Sequence, residues 1–430
     1  MVLKRVQDFM SGLIRRQGGL LFPKSDRDAT SLPQLLTKIM GRTGEVSAMV
    51  IARTVLDRYK SFDAPQRLQF FQILEQQFNA DPDKVRQAYQ AYEQQPDSQH
   101  LQTLFETAEP RRLELFRRLN QTAGATHDLV AMRTDLLAIL KDHPELAAVD
   151  RDFVWLFSSW FSRSFLVLQN INWSTSAAIL ERIIRYEAVH EIRDWNDLRR
   201  RIQPANRRCF AFFHPALVDE PLIFVEVALS NRIPRSIQAI LKDEVDDSAP
   251  EDFDTATFYS ISNCQSGLKN ISFGNFLIKQ VVEELRSEFP AMKRFVTLSP
   301  LPGFRRWLEA KDTDDSPAVK ALRTAYQQQA DDEAGEGESL VLQQLAAHYL
   351  LNARSGRYPK DPVARFHLGN GARIHQLNPD ADDSNNGRAQ SLGMMVNYLY
   401  DLRSIERNHE QYMGEGKIDC SPEILKLLKP

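Results

Sequence analysis

Over roughly the first 170 residues apolar positions recur at threes and fours, as in Phe70, Phe71, Leu74 and Phe78 and again in Leu129, Met132, Leu136, Leu137 and Leu140. That spacing places one apolar stripe on the face of a helix. Strand-like runs are nearly absent there. Asp81-Pro82-Asp83, Gln95-Pro96-Asp97 and His143-Pro144 stand between the stripes, where a proline ends one helix or occupies the first turn of the next. This half reads as a helical bundle or hairpin array, with Gln, Arg and Asp on solvated outer faces.

The pattern changes after Asn172-Trp173-Ser174. A helix over Ala177–Tyr186 follows, with Ser174 or Thr175 available to cap it. Runs of β-favouring residues then appear at 209–213, 222–229, 258–262 and 295–298, several of them separated by helical spacing. The run at 258–262, the amphipathic stretch at 275–289 and the run at 295–298 form a strand, helix, strand crossover, which predicts mixed or parallel α/β architecture. The expected organisation is a helical domain over 1–170 and an α/β domain over 171–430. The acidic stretches 243–254, 312–316 and 331–338 read as exposed connections.

Composition narrows the partners. A chain of 430 residues exceeds the size at which one core keeps growing, which favours two domains. The formal net charge of -3 gives no broad basic field, so nucleic acid is not an expected partner. No apolar run approaches the roughly 18 residues that span a bilayer, so neither is a membrane. Cys209, Cys264 and Cys420 are odd in number and widely spaced, which fits a reducing compartment, and the cytoplasm is the expected location. Leu3, Val6, Met10 and Leu13, with Lys4, Arg5, Arg15 and Arg16, would also suit an organellar presequence, against which Asp8 argues.

Three segments offer chemistry. Gln265-Ser-Gly-Leu-Lys-Asn-Ile-Ser-Phe-Gly274 follows a strand and opens a helix at Asn275, so Gly267, Gly274 and free N–H groups could hold a diphosphate; glycine and serine there equally make an ordinary turn and cap. In Thr297-Leu-Ser-Pro-Leu-Pro-Gly-Phe304 two prolines stiffen the chain after Ser299. Pro300 lacks the N–H that follows the nucleophile in a hydrolase elbow, which weakens a hydrolase reading. In Arg365-Phe-His-Leu-Gly-Asn-Gly-Ala372, His367 is the best acid/base candidate, although a histidine among apolar neighbours is often only a satisfied core residue. Asp380, Asp382 and Asp383 near His375 match no standard metal-ligand spacing, and no metal is expected. Walker A, HExxH and GxSxG sequences are absent.

Taken in order, Tyr259-Ser-Ile-Ser-Asn-Cys-Gln-Ser-Gly-Leu268, Ile271-Ser-Phe-Gly-Asn-Phe-Leu-Ile-Lys279, Leu298-Ser-Pro-Leu-Pro-Gly-Phe304, Phe366-His-Leu-Gly-Asn-Gly-Ala372 and Asn397-Tyr-Leu-Tyr400 resemble the malonyl-CoA decarboxylase family. Glu187-Ala-Val-His190, Arg207-Arg-Cys209, Glu220-Pro-Leu222 and Ile237-Gln-Ala-Ile240 extend the likeness across about residues 170–410. The resemblance implies a helical domain for subunit contacts and a catalytic domain of the GNAT acetyltransferase type. It implies a homo-oligomer, often a tetramer, acting on malonyl-CoA with no cofactor beyond the CoA thioester itself. Lys269, Asn270, Ile271, Ser272, Phe273, Gly274 and Asn275 would line the CoA site. Ser299 and His367 would be the catalytic pair, supported by Asn370 and Tyr400. Some relatives carry an acidic residue where this chain has Ser272, so a carboxylate role does not transfer. The rival readings are an acyl-CoA N-acyltransferase of the same domain type and a non-catalytic scaffold that binds CoA esters.

Overall fold

The computed structural model describes residues 30–41, 44–242, 252–271, 277–310, 316–330 and 336–429. The amphipathic stretch at 3–16 and most of the three acidic stretches lie outside the described residues. The chain packs as two units.

The first unit runs to Val167 and takes in Phe213–Leu222 and the described part of Gln265–Phe273. Its helices among the described residues are Leu32–Met40, Glu45–Lys60, Ala64–Gln77, Pro82–Gln94, Ser98–Ala108, Arg111–Leu119, Ala125–Ile139 and Ala147–Trp160. Local chemistry sets their starts. Asp63 and Gln66 form a reciprocal capping box, Asp81 accepts from the N–H groups of Asp83 and Lys84 with Pro82 in the first turn, and Asp97 accepts from His100 N–H. The apolar stripes close on one another: Phe70, Phe71, Leu74, Leu129, Met132 and Leu136 are fully buried.

The second unit is built on an eight-stranded mixed sheet with helices packed around it. Its strands are β1 (Val167–Ile171), β2 (Arg207–Phe213), β3 (Pro221–Ser230), β4 (Thr255–Asn263), β5 (Arg294–Thr297) and β6 (Ser299–Pro300), followed by β9 (Arg373–Asn378) and β10 (Met395–Leu399). A separate two-stranded ribbon pairs β7 (Arg354–Ser355) with β8 (Tyr358–Pro359). Strand β3 is buried on both faces, and its run of apolar residues suits a central position. It pairs antiparallel with β4. β4 pairs in parallel with β5 through the crossover helix Leu277–Glu288. β10 receives β9 on one edge. On the other it pairs Leu399 with Val296 and Val396 with Ser299, so β6 continues β5 in the same register after a break at Thr297–Leu298.

Two local expectations change. Val167–Ile171, inside the stretch read as helical, is the outermost strand β1; mostly exposed, it lacks the apolar run that marks a buried strand. The helix Ala177–Tyr186 is entered through Ser176, with no side-chain cap. Ser174 and Thr175 are instead held in a turn by Asn172, whose Oδ1 accepts from Ser174 N–H and whose N–H donates to Thr175 Oγ1.

Candidate active site

Ser299 and His367 come together from sites 68 residues apart: Ser299 Oγ lies 3.1 Å from His367 Nε2. The break between β5 and β6 places the serine. At that point β10 stops making ordinary ladder bonds: Tyr398 N–H donates to the Thr297 hydroxyl at 3.1 Å, and Asn397 Nδ2 donates to the Thr297 carbonyl at 2.8 Å. The Thr297 hydroxyl also accepts from Ser299 Oγ at 2.9 Å, which holds the serine rotamer.

His367 rides on the helix Pro362–Gly369. Buried Asp361 caps it, accepting from Val363 and Ala364 N–H at 2.9 Å each, and Pro362 fills the first turn. Asp361 also accepts from Tyr349 OH at 3.2 Å. At the other end Ala372 N–H donates to His367 O, and Gly371 N–H to Leu368 O. This is a Schellman ending, with Gly371 at φ +82°. A Cβ on Gly371 would stand 2.1 Å from the Ile405 carbonyl oxygen, so only glycine fits the turn that stops the helix after the histidine.

The imidazole is enclosed. Tyr400 OH lies 2.7 Å from Nδ1, and the Tyr398 ring stacks on it at 4.6 Å between centroids. Burial pushes the His367 pKa down to about 3 and raises the phenols of Tyr398 and Tyr400. The ring is therefore neutral at ordinary pH, and one tautomer satisfies every neighbour: Tyr400 O–H donates to Nδ1, Nε2–H donates to Ser299 Oγ, and Ser299 O–H donates to Thr297 Oγ1. Thr297, Ser299, His367 and Tyr400 form one uncharged chain of hydrogen bonds.

Ser299 and His367 open onto a cavity of about 290 Å³ whose apolar wall includes Ile223, Phe258, Ile261 and Phe366. Asn263 adds an amide to the lining. A hydroxyl and a neutral imidazole in such a space can donate to a developing anion or pass a proton, but they bring no countercharge.

The family model described as the malonyl-CoA decarboxylase C-terminal domain matches residues 164–430, and its N-terminal counterpart matches 78–161. The chain belongs to the malonyl-CoA decarboxylase family. A curated "Malonyl-CoA decarboxylase, mitochondrial" from Anser anser anser is 36% identical over 353 residues, 74% of this chain and 69% of its own length. The crystal structure of malonyl-CoA decarboxylase from Rhodopseudomonas palustris superposes with a TM-score of 0.87 at 47% identity, covering 92% of this chain and 98% of that one. That of the Agrobacterium vitis protein gives 0.85 at 46%, covering 93% and 100%.

Among the other residues singled out from the decarboxylase resemblance, Tyr400 joins Ser299 and His367. Asn370 turns its amide back to the Phe366 carbonyl at 2.7 Å, a cap on the His367 helix. Of the CoA segment, Lys269, Asn270 and Ile271 are described, whereas Ser272, Phe273, Gly274 and Asn275 lie outside the described residues. The free amides expected there are partly spent: Leu268, Lys269 and Ile271 N–H donate to the carbonyls of Gln265, Ser266 and Leu268. Gly267 serves packing within the helical unit, since a Cβ would stand 2.0 Å from the Val130 carbonyl oxygen, and its own carbonyl accepts from Arg133 Nη1 at 2.7 Å. Asp382 and Asp383 are engaged as well, with Ser384 N–H and Gln238 Nε2 respectively. Thr297, Tyr398 and Asp361 complete the site beyond the residues that the motifs indicate. Asp361-Pro362 is a legible helix start, and Thr297 shares a strand face with Ser299 at a spacing of two. Nothing in the sequence marks the stacking of Tyr398.

Proposed function

We propose that the chain splits malonyl-CoA into acetyl-CoA and CO2 in this cavity, with Ser299 and His367 as the catalytic pair. The contact between Ser299 Oγ and His367 Nε2 at the wall of a largely apolar cavity, in a chain of this family, carries the reading. In the reaction the bond from Cα to the carboxylate carbon breaks, CO2 leaves, and the electron pair moves into the thioester carbonyl as an enolate. The thioester is the electron sink, so neither metal nor organic cofactor is required. Re-forming the carbonyl takes a proton at Cα. His367 supplies it through Ser299: the serine O–H bond breaks as Cα–H forms, Nε2–H passes to Oγ, the Tyr400 O–H bonded to Nδ1 stabilises the ring that has given up its proton, and a solvent proton returns to Nε2 as the products leave the cavity. A thioester α-carbon is a far weaker acid than a neutral imidazole N–H, so the transfer runs downhill. A preorganised donor aimed at the developing enolate oxygen lowers such a barrier by about 3–4 kcal/mol. The apolar walls exclude water and disfavour the carboxylate relative to neutral CO2.

Lys269 to Asn275 hold the CoA diphosphate on this reading, and Asn370 steadies the histidine helix. The protein is a homo-oligomer joined through its helical unit, where Leu101 and Phe105, one turn apart on the helix Ser98–Ala108, are exposed. Three free cysteines suit the cytoplasm; among the described residues no helix is long and apolar enough to cross a membrane.

The test is to incubate purified protein with malonyl-CoA, without metal or amine, and to follow acetyl-CoA and CO2 together. Equal release that collapses in Ser299→Ala and His367→Asn is expected. No release from folded wild type overturns the reaction, and release that survives His367→Asn removes the histidine from its role.

A further inference from the structure

Tyr259, which stands in the wall of the Ser299–His367 cavity, also lines a second cavity, of about 110 Å³, inside the same unit. Its wall carries four guanidiniums from three places: Arg193 from a loop, Arg200 and Arg201 from the helix Trp195–Ile202, and Arg207 from β2. The two deeper ones are buried and held rigidly. Arg201 Nη1 donates to Glu226 Oε2 at 2.9 Å and its Nη2 to the Glu191 carbonyl at 3.0 Å, while Arg207 donates to the carbonyls of Asn206 and Ile240 at 3.1 and 2.6 Å. Arg193 and Arg200 stand at the rim, both paired with Asp197. The Tyr259 hydroxyl is fully buried and faces the Glu226 carboxylate, which Arg201 also binds. The strings Arg207–Cys209 and Ile237–Ile240, which the catalytic cavity leaves unused, meet at this wall through the Arg207 to Ile240 bond.

We propose that this pocket is a binding site for a small oxyanion of phosphate or bicarbonate size, held by the four guanidiniums. The space is too small for a nucleotide or a pantetheine arm. Guanidiniums in a fixed fork match the geometry of such anions. Two carboxylates, Glu191 and Asp197, also line the pocket, and Asp197 competes directly, because an entering anion shares Arg193 and Arg200 with it. The inference stands apart from the catalytic reading, since it concerns binding and not turnover.

Isothermal titration of the full chain with inorganic phosphate, at fixed pH and ionic strength and with chloride as the control, tests it. Saturable binding at one site is expected, with bicarbonate in a parallel arm deciding which oxyanion the pocket prefers. Arg193→Gln and Arg200→Gln, both at the accessible rim, each weaken binding about tenfold. Asp197→Asn tightens it. Arg403→Gln, which removes an equal charge from the surface outside the pocket, leaves affinity unchanged and separates a site from general charge screening. No saturable heat in the wild type overturns the proposal, as do unchanged affinities in Arg193→Gln and Arg200→Gln. Competition between phosphate and CoA also overturns it, by assigning the pocket to the coenzyme's own phosphates.

Discussion

The two cavities that share Tyr259 differ in the kind of polar contact they contain. In the larger one the four-member chain from Thr297 through Ser299 and His367 to Tyr400 is neutral throughout. In the smaller, guanidiniums and carboxylates bond to one another: Arg201 to Glu226, Arg193 and Arg200 to Asp197. The contrast has a physical consequence. A cavity that turns a carboxylate into CO2 gains little from a fixed cation, which would stabilise the starting anion as much as the enolate that follows. Neutral donors act on charge as it develops. The charged cluster suits holding an anion, and its acid–base behaviour shows how costly burial is there: desolvation, opposed by Arg201, leaves the Glu226 carboxyl raised to about 7.

The largest effect that would break this comparison is at Ser299. Ser299→Ala is expected to lower kcat about 10²–10³-fold with KM within a few-fold, measured as CO2 release. Adding His367→Asn should cost scarcely more than the worse single change, because the two act as one unit; additive losses would mean separate roles. Tyr400→Phe removes the donor to Nδ1 and is expected to lower kcat about tenfold. Thr297→Val, which frees the serine rotamer, should lower kcat several-fold with KM unchanged, and Thr297→Ser should restore it.

Protonation separates the two regions more finely. With its pKa near 3, His367 should contribute no step to the pH profile of kcat/KM between about pH 6 and 8, and a histidine step there would show that the imidazole is not held neutral. Glu226 should appear in stability instead. Its folded pKa of about 7 lies above the ordinary 4.5, so its contribution is fully present below pH 4.5 and is lost as pH rises towards 7. Urea midpoints of wild type and Glu226→Gln, compared between pH 4.5 and 8, should show that decline in the wild type alone. The smallest effect expected is Asn370→Ala, about 1 kcal/mol of stability from the lost bond to Phe366.

Much of the fold was legible because it rests on local chemistry. The caps at Asp81 and Asp97 and the buried stripes are set by neighbours within a turn or two. The crossover at 255–297 showed in its alternation of apolar run and amphipathic helix. β1 did not show, since an exposed outer strand has no buried face to impose a pattern. At the site, Ser299, His367 and Tyr400 were legible through the order of their motifs. Asn370 shows the limit of that order: its motif placed it beside the histidine, but its amide turns into its own helix.

By itself the sequence determined the helical and α/β halves, the family and the chemical repertoire, because periodicity, caps and ordered motifs are written in neighbouring residues. Only the tertiary structure decided that the histidine is neutral, that Thr297 holds the serine and that Tyr259 stands between an uncharged cavity and a charged one. Burial and long-range hydrogen bonds depend on which distant segments are brought into contact, and a protonation state depends on the solvent those contacts exclude.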